Sequence, residues 1–331
     1  MKKETTKDRV LNLLEESTDK FISGEEIAGE LSLTRGGVWK AIKALKEKGY
    51  SIEAVTNKGY RLMTEGDVLS KGRIDSFLCE RNCHIDTYVY ESLTSTNDVC
   101  REYAAEGASD LVVIADYQTK GRGRRGRSFF SPTGTGIYMS FLLHPSDDIH
   151  EATLITCMAA VALCRAIEEV TDRKPSIKWV NDVFVNGKKI SGILTEGLTS
   201  LEEGKFAYII VGIGINVYEP EGGFPEEIKD IAGTLLDKEK HYKDTRNKLC
   251  AALIDNFLRL YKTGGKENFL DEYRKKSFLI GENVRVMQAN KIVEKGKAKV
   301  LGIDDECRLT VEYEDGTKEA LFTDEVSVVK E

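Results

Sequence analysis

Asp110-Leu-Val-Val-Ile-Ala-Asp-Tyr-Gln118, then Gly121-Arg-Gly-Arg-Arg-Gly-Arg127, then Gly136-Ile-Tyr-Met-Ser-Phe-Leu-Leu143 is the stretch on which the reading of this chain turns. The two apolar runs read as strands, so the heptapeptide between them is a loop held by a sheet and not a tail. It holds four arginines and three glycines and no acid, in a chain whose formal net charge is -7. Glycines let backbone N–H groups approach phosphate oxygens, and arginines add bidentate donors, so the loop suits an anion. A flexible basic loop or a patch for nucleic acid fits the same seven residues, because glycine-rich spacing gains meaning only from its structural context.

Outward from that loop, 331 residues with 41% hydrophobic and 31% charged residues make an ordinary globular chain with room for two or three domains. No run approaches the ~18 apolar residues of a membrane span, and no apolar signal segment follows Met1-Lys-Lys-Glu, so a cytoplasmic location is expected. The seven cysteines (79, 83, 100, 157, 164, 250, 307) are odd in number and lack CxxC spacing, which points to reduced thiols. The four histidines (84, 144, 150, 241) form no zinc pattern, and no structural metal is expected.

Residues 1–66 read as three helices and a hairpin. Val10, Leu11, Leu13 and Leu14 give the first helix an apolar face, and Ser23 with Glu26 spells a capping box for the second. Thr34 is the N-cap expected for a third helix whose inner face is Val38, Ile42 and Leu45 and whose outer face shows Arg35, Trp39, Lys40, Lys43 and Lys46. Gly49 ends it, and strands at 51–56 and 60–62 close around Asn57-Lys58-Gly59. This is a winged helix-turn-helix pattern with Thr34, Arg35, Trp39, Lys40, Lys43 and Lys58 as DNA-binding residues. Residues 1–66 carry a net charge of only +1, as a small helical domain with a solvated lysine face would, yet 34–48 holds five bases against one acid.

Residues 67–278 alternate strands and helices as an α/β or α+β core does. Ser95-Thr-Asn-Asp98 heads a helix to about Glu106, with Ser95 and Asp98 spelling another capping box, which alone would account for these polar residues. A helix at Glu151–Glu169, strands at Ser176–Val185, Lys188–Glu196 and Phe206–Val217, and a helix at about Asp244–Lys262 follow. From 279 to 331 the pattern is short strands only, with Asp315-Gly316 marking one hairpin, which reads as a small SH3-like barrel.

The two-residue turn Asn186-Gly187 pairs Val185 with Lys188 and Phe184 with Lys189, placing Asp182, Phe184, Lys189 and Ser191 on one face. Asp182 and Lys189 are then diagonal neighbours, on the order of 7 Å apart at the backbone. A surface ion pair would look the same, but Ile177–Val185 is too apolar for an exposed edge, so Lys178, Asn181, Asp182 and Lys189 are expected to converge on a cavity.

The arginine loop, with Ser95-Thr-Asn97 and Gln118 ahead of it and Lys178-Trp-Val-Asn-Asp182, Lys189-Ile-Ser-Gly192 and Gly212-Ile-Gly-Ile-Asn216 behind, resembles the biotin protein ligases. With the winged helix in front, the chain is similar to the bifunctional type that joins biotin ligase and biotin operon repressor. The resemblance implies a multidomain α+β protein: a winged helix-turn-helix at 1–66, a class II synthetase-like biotin/lipoate ligase core at 67–278 and an SH3-like domain at 279–331. It implies that biotin, ATP and Mg²⁺ give biotinoyl-5'-AMP, whose acyl group passes to a lysine of a biotin carboxyl carrier protein. No enzyme nucleophile is needed, and the chain offers no Ser-His or Cys-His constellation.

By motif position, Ser95, Thr96, Asn97, Gln118, Arg122, Gly123, Arg124, Lys189 and Gly192 would hold biotin. Arg124, Arg125, Asn181, Asp182 and Asn216 would meet the nucleotide, with orientation of the incoming lysine as the other role open to Asn181 and Asp182, and Lys189, Asp182 and Arg124 would carry catalysis. Gly192, Gly212 and Gly214 would permit close packing around the ligand. The family also implies operator DNA, repression of biotin genes with biotinoyl-AMP as corepressor, and a homodimer when that adenylate is bound. Phe129 stands where many members have tryptophan, Val180 replaces a frequent proline, and Val326–Glu331 lacks an arginine that some relatives place near the nucleotide. A lipoate-type ligase and a biotin sensor without catalysis remain as alternatives, the second disfavoured by Lys189 and Asp182.

Overall fold

The computed structural model describes residues 5–17, 20–63, 67–82, 84–145, 152–199, 206–237, 243–263, 269–288, 294–322 and 326–330. Cys83, His150, Glu151, His241, Glu331 and the boundary expected at 66 lie outside the described residues. The chain divides into two compact units, Met1–Leu78 with Lys238–Ala251, and Cys79–Asp237 with Ala252–Glu331.

In the first unit, helices α1 (Thr6–Glu16), α2 (Gly24–Glu30) and α3 (Arg35–Glu47) precede the hairpin β1 (Ile52–Val55) and β2 (Gly59–Leu62). Val10, Leu14, Ile27, Val38, Ile42 and Leu45 form its buried core, so the helical spacing seen in the sequence is the packing face. Ser23 and Glu26 close their capping box, and Thr34 Oγ1 accepts from the N–H of Gly37 at 3.1 Å. Thr5 and Asp8 form a further box on α1 that the sequence reading passed over. The wing turns one residue earlier than expected, with Val55 paired to Gly59. Gly59 is required there: its φ is +104°, and a β-carbon would stand 2.0 Å from the carbonyl oxygen of Ile22.

A short helix, α4 (Lys71–Phe77), was not visible in the pattern. The same unit holds an ion pair of Arg73 with Asp244 and a hydrogen bond from the Arg246 N–H to Asp67 at 2.7 Å. The Ser70 hydroxyl donates to Glu15 of α1, and burial pushes that carboxyl up to about 7.

The second unit is built on a seven-stranded mixed sheet. Its elements are β3 (Asp86–Tyr90), α5 (Thr96–Ala105), β4 (Leu111–Ala115), β5 (Gly136–Leu143), α6 (Ala152–Val170), β6 (Ser176–Lys178), β7 (Asp182–Val185), β8 (Lys188–Thr199) and β9 (Phe206–Asn216). The strand order is β3-β4-β5-β9-β8-β7-β6, with β3 and β4 parallel and every other pair antiparallel. The strand expected over Ser176–Val185 is instead a hairpin, because the chain turns at Trp179-Val180-Asn181 and Lys178 pairs back onto Asp182. Helix α7 (Thr245–Thr263), counted with the first unit as far as Ala251, buries Leu249, Leu253, Phe257 and Leu260 as its spacing requires. Helix α8 (Leu270–Lys276) follows. The remaining strands are β10 (Asn283–Gln288), β11 (Glu294–Ile303), β12 (Leu309–Tyr313), β13 (Lys318–Leu321) and β14 (Val326–Lys330). They form an antiparallel sheet of order β13-β12-β11-β10-β14. Trp179 Nε1 donates to the carbonyl oxygen of Cys307 on the β11–β12 loop at 2.8 Å, and the Tyr273 hydroxyl donates to the Val180 carbonyl at 2.9 Å.

Candidate active site

Strand register builds the floor of the site. Tyr138 pairs with Gly214, Gly214 with Gly192, Gly192 with Asp182, and Asp182 with Lys178. Cross-strand partners share a face, so one residue from each of β5, β9, β8, β7 and β6 stands in a single row. Two residues along β5, Ser140 pairs with Gly212, and Gly212 with Leu194.

The β7–β8 hairpin keeps the expected pairs Val185–Lys188 and Phe184–Lys189, but a bulge then shifts the register so that Ser191 faces Val183. Ser191 is consequently buried on the other face and not beside Asp182, which corrects the sequence expectation. Lys189 stays on Asp182's face, with its Nζ 2.6 Å from Asp182 Oδ1. Beside them, burial holds the Lys178 ammonium below the usual lysine range, with the nearby charge of Lys189 acting the same way and Asp182 opposing both.

The glycines of the floor make room for protein side chains. A β-carbon on Gly214 would stand 2.5 Å from the Phe129 ring, and one on Gly212 would stand 2.2 Å from Asn97 Oδ1. Phe129 follows the arginine loop and lies edge-on to Tyr138, so an aromatic side chain covers the glycine row.

Ser95 does not cap α5 with its side chain, and the box expected with Asp98 is absent. The Thr96 N–H donates instead to Gln118 Oε1 at 2.8 Å, and Gln118 Nε2 donates to Ser131 Oγ at 3.0 Å. Asp98 is taken by two arginines, accepting from Arg101 at 2.7 Å and Arg122 at 2.9 Å. Capping therefore does not explain Ser95, Thr96 and Asn97, all three of which are buried.

The loop closes on itself through the Gly123 N–H to the Arg127 carbonyl at 2.7 Å and the Phe129 N–H to the Gly121 carbonyl at 2.9 Å. Arg124 Nη1 donates to Asn181 Oδ1 at 3.3 Å, tying the loop to the Trp179–Asn181 turn. The result is a cavity of about 470 Å³. Every biotin- or nucleotide-binding residue expected from the sequence lines it except Asn216. Asn216 ends β9, where its Nδ2 donates to the Gly233 carbonyl at 3.2 Å. Asp182 and Asn181 Oδ1 are hard oxygen donors on the same wall, a set that suits a Mg²⁺ ion drawing its other ligands from phosphates and water.

Two residues that the sequence did not mark stand behind the wall and hold its side chains. Ser140, fully buried, contacts Thr96 Oγ1 at 2.7 Å and Asn97 Oδ1 at 2.6 Å. Glu196 accepts from Asn97 Nδ2 at 2.8 Å and Arg122 at 3.0 Å. A lone hydroxyl inside the apolar run Gly136–Leu143 was the available signal for the first, since a buried polar group needs a partner. Nothing in the alternation of β8 marked the second.

The residues expected to contact DNA lie in the first unit. Trp39 is 55% exposed on α3, with Lys43 Nζ 5.6 Å from its ring centroid. Arg35 pairs with Glu25 at 2.5 Å and Lys43 with Glu47 at 3.9 Å, both on the surface. At the wing, Lys58 Nζ stands 5.9 Å from the Phe21 ring.

The geometry has a counterpart in known proteins. The chain is 35% identical over 323 residues to the bifunctional ligase/repressor BirA of Bacillus subtilis, covering 97% of this chain and 98% of the relative. This chain belongs to the bifunctional biotin ligase/repressors. The Escherichia coli bifunctional ligase/repressor BirA is 29% identical, over 88% of each chain. Family models match in the same order: an HTH domain at residues 6–61, the biotin/lipoate A/B protein ligase family at 89–216 and the biotin protein ligase C-terminal domain at 279–327. Among solved structures, the Aquifex aeolicus biotin protein ligase in complex with biotin and ATP superposes with a TM-score of 0.60 at 30% identity, covering 74% of this chain and 99% of that one. This ligase/repressor carries its helix-turn-helix before the ligase core. No helix among the described residues is long and apolar enough to cross a membrane.

Proposed function

We propose that the 470 Å³ cavity binds biotin against Ser95, Thr96, Asn97 and Gln118 and the nucleotide against Arg124, Arg125, Asn181 and Asp182. A biotin carboxylate oxygen attacks the α-phosphorus of ATP, the bond to pyrophosphate breaks, and biotinoyl-5'-AMP stays in the closed site. The ε-amine of a lysine on a biotin carboxyl carrier protein then attacks the acyl carbon and AMP leaves. Mg²⁺ bound with ATP would meet Asp182 and Asn181 and would neutralise phosphate charge. Lys189 and Arg124 supply fixed positive charge where the α-phosphate gains negative charge, a role worth a few kcal/mol in sites of this kind. The observation that carries the reading is the meeting of Lys189, Asp182 and the arginine loop on one cavity beside Thr96 and Asn97.

On this reading the winged helix at 1–66 binds operator DNA of biotin genes through α3 and Lys58. The ligase core occupies 67–278, the C-terminal β domain 279–331, and the protein works in the cytoplasm. Two adenylate-bound chains pair as a homodimer on the operator. The deciding experiment is incubation with biotin, MgATP and a carrier domain, followed by intact mass of the carrier. A carrier that gains lipoyl mass in a parallel lipoate reaction, and none from biotin, refutes the assignment.

A further inference from the structure

Glu196 stands where the pocket wall meets the arginine loop. Its Oε2 accepts from Asn97 Nδ2 at 2.8 Å and from Arg101 at 3.2 Å, while its Oε1 accepts from Arg122 at 3.0 Å. Asp98 holds the same two arginines, at 2.7 Å and 2.9 Å. Two carboxylates and two guanidiniums thus form one closed cluster of no net charge.

Proton counting orders the rest. A carboxylate accepts only, so the Asn97 edge facing Glu196 is its NH₂ and the edge facing Ser140 is its oxygen. Ser140 has one proton, which Asn97 Oδ1 claims at 2.6 Å. The Ser140 hydroxyl also stands 2.7 Å from Thr96 Oγ1, whose own proton is directed at Gln118 Oε1 at 3.2 Å. One N–H of Asn97 and one lone pair of Thr96 are not used in this network, and both residues line the cavity. Asn97 is 3% exposed and Ser140 0%, so neither can turn to water for a substitute.

We propose that Glu196 is a positioning residue for ligand binding: its carboxylate fixes which edge of the Asn97 amide faces the pocket, and the same group anchors the arginine loop through Arg122. Arg122 is on this view the foot of the loop, paired at its base, and Arg124, Arg125 and Arg127 are the arginines that answer the ligand's charge. The inference rests on the biotin reading above and adds to it a residue and a division of labour within the loop.

Glu196→Gln tests it, because glutamine keeps the shape, loses the charge and can present either edge to Asn97. Calorimetry with biotin alone should show Kd raised at least about tenfold, as loss of a charge-assisted hydrogen bond implies. KM for ATP should rise less than the biotin Kd, since the nucleotide meets the loosened loop but not Asn97, a split that general destabilisation would not produce. Trypsin should cut the ligand-free loop after Arg122, Arg124, Arg125 or Arg127 faster than in wild type. Asp98→Asn, which removes an Arg122 partner and leaves Asn97 untouched, should speed cleavage with a smaller change in biotin Kd. Wild-type biotin affinity and trypsin resistance in Glu196→Gln overturn the proposal. If that variant melts early, Glu196→Asp carries the test, because it keeps the charge and shortens the reach to Asn97: a folded Glu196→Asp with unchanged biotin Kd overturns the proposal equally. A wild-type protein that binds no biotin would instead refute the functional reading itself.

Discussion

Lys189 Nζ stands 2.6 Å from Asp182 Oδ1, across a hairpin whose bulge keeps both on the cavity face. Each is roughly a quarter to a third exposed, at 31% and 23%, so water screens the pair only in part. The carboxylate holds the ammonium in place and leaves its remaining N–H donors for a ligand. Lys189→Ala should lower biotinoyl-AMP formation at least about tenfold, or about 1.4 kcal/mol in the barrier. Arg124→Ala should do the same, because it removes positive charge from the α-phosphate and unties the loop from Asn181. Pyrophosphate release checks both, with far-UV circular dichroism unchanged; full turnover in folded Lys189→Ala contradicts the role.

The glycine row gives a second outcome. A methyl group on Gly214 has no space beside the Phe129 ring at 2.5 Å, so the ring, which lines the cavity, must shift. Gly214→Ala should keep the fold at a cost of about 1–3 kcal/mol and weaken biotin binding more than ATP binding. Calorimetry on Gly214→Ala beside Gly214→Ala with Phe129→Leu checks it: the smaller side chain should restore part of the affinity.

On α3, Lys43 shares its charge with Glu47 at 3.9 Å and with the face of Trp39. Lys40→Ala should therefore cost more operator affinity than Lys43→Ala, and should flatten the plot of log affinity against log salt by about one unit. Ligase turnover should not change. A titration of operator DNA across salt concentrations measures the slopes.

Glu15 provides the pH dependence. Its carboxyl, pushed up to about 7 by burial with the nearby charges of Asp75 and Asp244 adding to the rise and Ser70 and Arg73 opposing it, binds a proton more tightly folded than unfolded. The stability this contributes is complete below about pH 4.5 and is lost as pH rises through about 7. Glu15→Gln never ionises and still accepts from Ser70. It should melt several degrees above wild type at pH 8 and level with it near pH 4.5; parallel melting curves at all pH values contradict this.

Biotinoyl-AMP should tighten both dimerisation and operator binding by one coupling free energy, since a paired winged helix reads two half-sites. On the reading proposed above, the adenylate should neutralise the remaining arginines of the glycine-rich loop and so order it. Sedimentation and operator titration with and without the adenylate measure this, and equal constants in both states leave two independent activities.

Helical spacing and caps made α1 to α3 and the wing legible from sequence, because each rests on neighbours within a few residues. The pocket was legible as motifs. Its construction was not, since the partners lie far apart in sequence: Thr96 with Gln118, Asn97 with Glu196. The reading of Ser95 and Asp98 as a cap failed because local spacing cannot see Gln118 or Arg122 arrive from another segment. The break in Ser176–Val185 failed similarly, as an apolar run reads alike whether it is straight or folded back at Trp179.

The floor of the cavity runs across the strands, one residue from each, so its neighbours in space are strangers in sequence. Anyone retuning this enzyme toward bulkier biotin analogues should build libraries by row, varying Tyr138, Gly192 and Gly214 together with Phe129 above them. Randomising contiguous segments would spend most variants on the opposite face of the sheet. The engineering unit here is a transverse line of side chains.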